Sequence, residues 1–291
     1  MKRTVPNSPS FDLTQEGEPK MTERIYETQS GNIHYWTNDI KPDRITLVML
    51  PGLTADHHLF DKQVKVFQGR YNVLKWDAPG HGKSRPFALD FTLMDKSRWL
   101  HEILEREQIR KPVLIGQSMG GYVSQCFMEQ FPGEAAGFIS IDSAPLKRRY
   151  VTGLEIWLLK RTEPMYRAFP WNMLRELGTK GVSKTRYGQA LMRHFVDSYT
   201  KDEYCRLSGH GTYMLADAME ADLPYAIDCP AILICGTRDE SGSAKSYNKR
   251  WAKHEGLPLF WIRGAGHNAN VDRPGEVNRI IRDFVESLGC G

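Results

Sequence analysis

Short apolar runs rich in β-branched residues recur along the whole chain, and helix-length amphipathic segments separate them. The runs fall at 31–36, 45–50, 72–76, 113–116, 137–141, 231–236 and 259–263. Most are apolar throughout, which suits strands buried on both faces, whereas a strand with one wet face would alternate. Between them lie helical candidates at 92–108, 119–130, 243–254 and 274–287. In the last, Val277, Ile280, Ile281, Phe284, Val285 and Leu288 recur at three- and four-residue spacing, one face packed on a sheet. Pro274 falls in its first turn, where the missing N–H costs nothing. Strands alternating with helices predict an α/β fold: a mostly parallel sheet with helices on both faces.

The interval 145–228 breaks the alternation. No strand pattern recurs there, and Pro164, Pro170, Gly178, Gly181 and Gly209 divide it into short helices. The expected layout is a core of 21–144 and 229–291 carrying a helical cap at 145–228. Residues 1–20, polar and interrupted by Pro6, Pro9 and Pro19, read as a disordered leader or tail. Within the cap, Leu154, Trp157 and Leu158 share a helix face and read as its internal core, and the run Lys147-Arg148-Arg149 as a solvated hinge.

Composition excludes several classes. The 291 residues carry a net charge of +4, too weak without clustering to argue for nucleic acid or an anionic membrane as partner. The five cysteines, Cys126, Cys205, Cys229, Cys235 and Cys290, are odd in number and have no paired spacing, so neither a disulfide framework nor a metal site is indicated. A reducing, cytoplasmic setting fits them. The N-terminus has no apolar segment for secretion, and no run approaches the roughly 20 residues of a membrane span.

The chemistry centres on Gly116-Gln117-Ser118-Met119-Gly120. A chance match to G-x-S-x-G in a chain of this composition is expected about 0.1 times, so the context matters more than the string. Here it follows an apolar run and opens a helical one, the strand-turn-helix of a nucleophile elbow. Gly116 and Gly120 allow the tight turn, Ser118 projects its hydroxyl, and the helix N-terminus favours an oxyanion. A serine needs a base held by a carboxylate. His267 follows the run 259–263, and Asp239 follows 231–236, both in strand-end loops where open α/β sheets bind ligands. Asp142, at the end of 137–141, and Glu240 are rivals for the carboxylate. In Leu50-Pro51-Gly52-Leu53 another strand ends at a glycine, so the N–H groups of Leu53 and Met119 form the candidate oxyanion hole.

These blocks, together with Asp77-Ala78-Pro79-Gly80-His81-Gly82-Lys83-Ser84, resemble the α/β-hydrolase superfamily over residues 22–289. The 77–84 turn is similar to that of the branch with a helical cap over the active site. The resemblance implies a hydrolase that uses no cofactor. Ser118 at the nucleophile position argues against haloalkane dehalogenases and epoxide hydrolases, which use Asp there. Met119 stands where proline iminopeptidases carry Trp, Asn268 where carbon–carbon hydrolases carry Trp, and Pro51 where the usual His precedes the oxyanion glycine. What remains resembles esterases, lactonases and cofactor-free haloperoxidases. The expected function is hydrolysis of a small carboxylic ester through an acyl-enzyme. Lactone or carbon–carbon cleavage on the same triad, and a slow-turnover ligand sensor, are the alternatives.

Other residues have two readings each. His57 and His58 line the pocket or begin a surface helix; His210 hangs from the cap into the site or sits in an exposed loop. Tyr122 lines the pocket or packs with Met119 beneath the elbow, and His81 is structural.

Overall fold

The computed structural model describes residues 21–289; the leader expected at 1–20 and Cys290 lie outside the described residues. Eight strands form one sheet: β1 (Thr22–Thr28), β2 (Gly31–Thr37), β3 (Thr46–Leu50), β4 (Asn72–Trp76), β5 (Val113–Gln117), β6 (Gly137–Ile141), β7 (Ala231–Gly236) and β8 (Leu259–Ile262). Their order is β1-β2-β4-β3-β5-β6-β7-β8. β1 and β2 are antiparallel to their neighbours, and β3 to β8 run parallel. β1 has no counterpart in the apolar runs because it is an exposed edge strand whose sequence TERIYET never buries a continuous face.

The continuous runs are explained by burial on both sides. Val48, Leu50, Leu114 and Phe138 point into one core, and Leu47, Met49, Val113, Ile115, Ile139 and Ile141 into the other. Helices α1 (Asp61–Phe67) and α11 (Pro274–Ser287) close the second core. α2 (Leu93–Arg106), α3 (Met119–Gln130) and α9 (Ala244–Glu255) close the first, with Trp251 fully buried. Each large side chain so buried stabilises the fold by about 1.5–3 kcal/mol.

Five α-helices separate β6 from β7: α4 (Gly153–Leu159), α5 (Thr162–Ala168), α6 (Trp171–Glu176), α7 (Arg186–Asp197) and α8 (Lys201–Ala221), with a π turn at Leu177–Gly181. Two expectations fail here. Gly209 breaks nothing: it lies inside α8, where a Cβ would sit 2.3 Å from Glu163 Cβ, so its missing side chain lets α5 and α8 pack closely. Nor do Leu154, Trp157 and Leu158 form an internal core, for they are 67%, 50% and 40% exposed. Among the described residues no helix is long and apolar enough to cross a membrane.

Candidate active site

The loop between β5 and α3 is held in a conformation that only its sequence permits. Ser118 has φ 48° and ψ −115°, a sparsely populated region for a residue with a side chain. A Cβ on Gly116 would lie 2.4 Å from Gly121 N, and one on Gly120 would lie 1.9 Å from Leu50 O. Both glycines are therefore steric necessities of the elbow. The strain aims the Ser118 hydroxyl at His267, whose Nε2 accepts from Oγ at 2.8 Å. His267 Nδ1 in turn donates to Asp239 Oδ2 at 3.0 Å.

Three further polar side chains hold the loops that bring these groups together. Asp142 accepts from Gly236 N at 2.7 Å and from Ala269 N at 2.8 Å, tying the end of β7 to the histidine loop. Gln117 Nε2 donates to His267 O at 2.7 Å. Asp272, in the short helix α10 (Ala269–Asp272), accepts from Gly266 N at 2.8 Å and from Ser183, Lys184 and Thr185 of the insertion. Gln117 fills an unspecified position of the G-x-S-x-G string and Asp272 belongs to no motif, so nothing in the sequence announces the contacts they make 150 and 88 residues away. Asp142, weighed as a rival acid, makes no hydrogen bond to the imidazole.

Electrostatics separate the two buried aspartates. Burial, then repulsion from Asp239, pushes Asp142 up to about 7. Burial would raise Asp239 too, but the charge of His267 and its hydrogen bond hold Asp239 below the usual carboxylate range. Burial would depress His267, yet the Asp239 charge and hydrogen bond outweigh it, and His267 is raised. Two carboxylates pushed apart in this way leave Asp239 ionised beside the imidazole and Asp142 the more easily protonated. Glu240 instead pairs with Lys184 at 3.1 Å.

The loop after β3 reaches the elbow because of Gly52, where a Cβ would lie 3.1 Å from Ser118 Cβ and 2.3 Å from Gln117 Oε1. The Leu53 and Met119 amides have no acceptor among the described residues, which leaves both donors free at the elbow. Together these groups open into a cavity of about 850 Å³ between the strand-end loops and the insertion. Ser118, Met119, Tyr122 and His267 line it from the core, and Leu159, Met192, Phe195 and Leu215 from the insertion.

The other histidines lie elsewhere. His57 is no pocket residue: it donates from Nδ1 to Asp77 at 2.7 Å and stacks on Trp36, bracing the 77–84 turn. His58 donates to Asp61 at 2.7 Å, as a turn leading into α1 requires. His210 is neither in a loop nor on the cavity wall; it lies within α8, edge-on to Phe91, and burial holds it down to about 4. His81 donates to Pro79 O at 3.0 Å. Two clusters, Asp56-His57-His58 and Asp142-Cys235-Asp239, bring donor atoms within 4.8 Å of one another, but His57, His58, Asp142 and Asp239 are engaged as described above.

Known proteins share this architecture. At 25% identity over 250 residues, covering 83% of this chain and 90% of the relative, the chain is similar to (E)-2-((N-methylformamido)methylene)succinate hydrolase of Acinetobacter baylyi. A thermophilic esterase from Thermogutta terrifontis superimposes with TM-score 0.75 at 19% identity, covering 92% of this chain and 99% of that one. The enol-lactonase from Burkholderia xenovorans LB400 gives TM-score 0.71 at 18% identity, over 90% of this chain and 100% of its own. The model of the alpha/beta hydrolase family matches residues 47–280. The chain therefore belongs to the alpha/beta hydrolase family.

Proposed function

We propose that this hydrolase cleaves a neutral carboxylic ester through an acyl-enzyme at Ser118. The observation that carries the reading is the hydrogen-bonded chain Asp239–His267–Ser118 opening onto a largely apolar cavity. Ser118 Oγ attacks the ester carbonyl while His267 Nε2 takes its proton. The Leu53 and Met119 amides hold the oxyanion, and the imidazolium returns the proton to the leaving alkoxide. A water molecule, deprotonated by the same nitrogen, then releases the acid. Asp239 keeps the Nδ1–H tautomer and stabilises the imidazolium.

The lining favours a neutral substrate. Among the described residues no Lys or Arg lines the cavity, and its wall carries three carboxyl groups, those of Asp142, Glu155 and Glu240. A carboxylate on the substrate would be desolvated there without a partner, at a cost of several kcal/mol. The relative from Acinetobacter baylyi is named for a succinate, and family membership alone does not fix a substrate, so the cavity lining carries this part of the reading. The test is a panel of p-nitrophenyl butyrate, its analogue with a terminal carboxylate on the acyl chain, a γ-lactone and a vinylogous diketone. The neutral ester is expected to exceed the carboxylate analogue by at least about 100-fold in kcat/KM. Preference for the carboxylate, or turnover of the diketone alone, refutes the reading. A single turnover without release would support the ligand-sensor alternative.

A further inference from the structure

We infer that the exposed apolar face of α4, continuous with the cavity mouth, docks the protein on an anionic lipid surface from which the ester is drawn. The inference rests on the ester-hydrolase reading for its substrate, and on separate observations for the surface.

α4 is amphipathic in an unusual sense. Its inner side is fixed: Ile156 is 3% exposed, and Glu155 accepts from Ser243 Oγ at 3.1 Å and from the Tyr247 hydroxyl. Its outer side presents Leu154, Trp157 and Leu158 to solvent. Of ten exposed large hydrophobic residues among those described, seven lie in 145–228, a segment of less than a third of the chain. Leu158, Met165 and Leu177 are both exposed and part of the cavity wall, so the patch runs from the surface into the mouth. Scattered apolar residues need no explanation, but a patch that leads into a site does.

Charge selects the occupant. The Arg161 guanidinium lies 4.1 Å from the Trp157 ring centroid. Arg148 Nη2 is 3.8 Å from where a Cβ on Gly153 would stand, one residue before Leu154. Their side chains are hydrogen-bonded to the carbonyls of Trp157 and Val151, and neither makes an ion pair among the described residues. Two guanidiniums thus bracket a face of Leu, Trp and Leu. That is the pattern of a segment lying in a bilayer interface, with the ring at headgroup depth and the cations on phosphate. A second copy packed on this face would cover the mouth and close the site to its substrate. Lipid phosphate complements both guanidiniums and leaves the mouth facing an apolar source of substrate.

Flotation of the full chain with phosphatidylcholine vesicles, with and without phosphatidylglycerol, tests this. Binding is expected to phosphatidylglycerol vesicles, weaker by about 25-fold without the anionic lipid, at roughly fivefold for each guanidinium. Leu154→Ser with Trp157→Ser should lower binding at least about tenfold. Turnover of monomeric p-nitrophenyl butyrate should be unchanged, since neither side chain lines the cavity, while hydrolysis of a long-chain ester carried in the vesicles should fall with binding. Arg148→Glu with Arg161→Glu should abolish the preference for anionic vesicles. Absence of flotation, flotation indifferent to both double variants, or a dimer in solution that Leu154→Ser with Trp157→Ser dissolves would overturn the inference. Vesicle binding by a chain that hydrolyses no ester would uphold the docking face and refute the ester reading; ester hydrolysis without vesicle binding would do the reverse.

Discussion

The strand-end loops and the helical insertion meet at one cavity but are built on opposite principles. Around Ser118 and His267 the backbone is fixed by buried acceptors: Asp142 joins two loops, Asp272 a third, and Gln117 holds the His267 carbonyl. In the insertion, short helices pack around a small apolar cluster that includes Leu174, Val196, Tyr204 and Leu207, and are further joined by exposed ion pairs such as Arg175–Asp197 and Arg167–Asp202, each worth about 1 kcal/mol or less. The difference teaches a division of labour. Reacting groups need positions held to fractions of an ångström, whereas a wall that shapes a substrate pocket and meets a surface can be looser.

The comparison can be broken by mutation, because damage to the loops should appear in kcat and damage to the insertion in KM. Ser118→Ala is expected to lose about 10⁴- to 10⁶-fold in kcat in steady-state assays with p-nitrophenyl butyrate. Asp239→Asn should lose about 10⁴-fold, since it removes the acceptor that sets the imidazole tautomer. Asp142→Asn should lose about 5- to 150-fold, the effect of leaving one buried amide without its acceptor. If the two aspartate variants exchanged these losses, the acid would be Asp142.

Asp272→Ala strips the acceptor from several donors of two regions at once and is expected to lower stability by about 2–5 kcal/mol in urea unfolding. Gly209→Ala forces a Cβ against Glu163 in the α5–α8 contact. A loss of about 1–3 kcal/mol is expected, with KM moving more than kcat. A kcat effect larger than the KM effect would contradict the division.

The smallest expected effect is on pH dependence. As the proposed base His267 can act only when neutral, and against the lowering effect of burial Asp239 and Asp142 raise it, so kcat/KM should climb with pH through a value above the ordinary imidazole range. Removing the Asp142 charge should move that acid limb to lower pH. A limb unmoved in Asp142→Asn would mean that its charge does not reach the imidazole.

Much of the sheet could be read from the chain because its strands are buried on both faces and therefore look like uninterrupted apolar runs; β4, β6 and β7 fall on the residues expected. β1 escaped because an edge strand need not be apolar. Ser118, Asp239 and His267 stood out through the glycines and strand ends beside them. Asp272 and Gln117 did not, because their acceptors and donors come together only when distant loops fold onto one another. The insertion was hardest to read. Helical spacing shows that Leu154, Trp157 and Leu158 share a face, but not whether that face turns inward or out. Net charge likewise averages away the local pairing of Arg148 and Arg161 with an apolar patch.

The most direct test of the acyl-enzyme is reaction with a fluorophosphonate, followed by peptide mass spectrometry. The triad predicts one adduct, on Ser118, formed in step with loss of esterase activity and slowed strongly in His267→Ala. Complete loss of activity with the adduct on another residue, or full activity in protein labelled at Ser118, would contradict it.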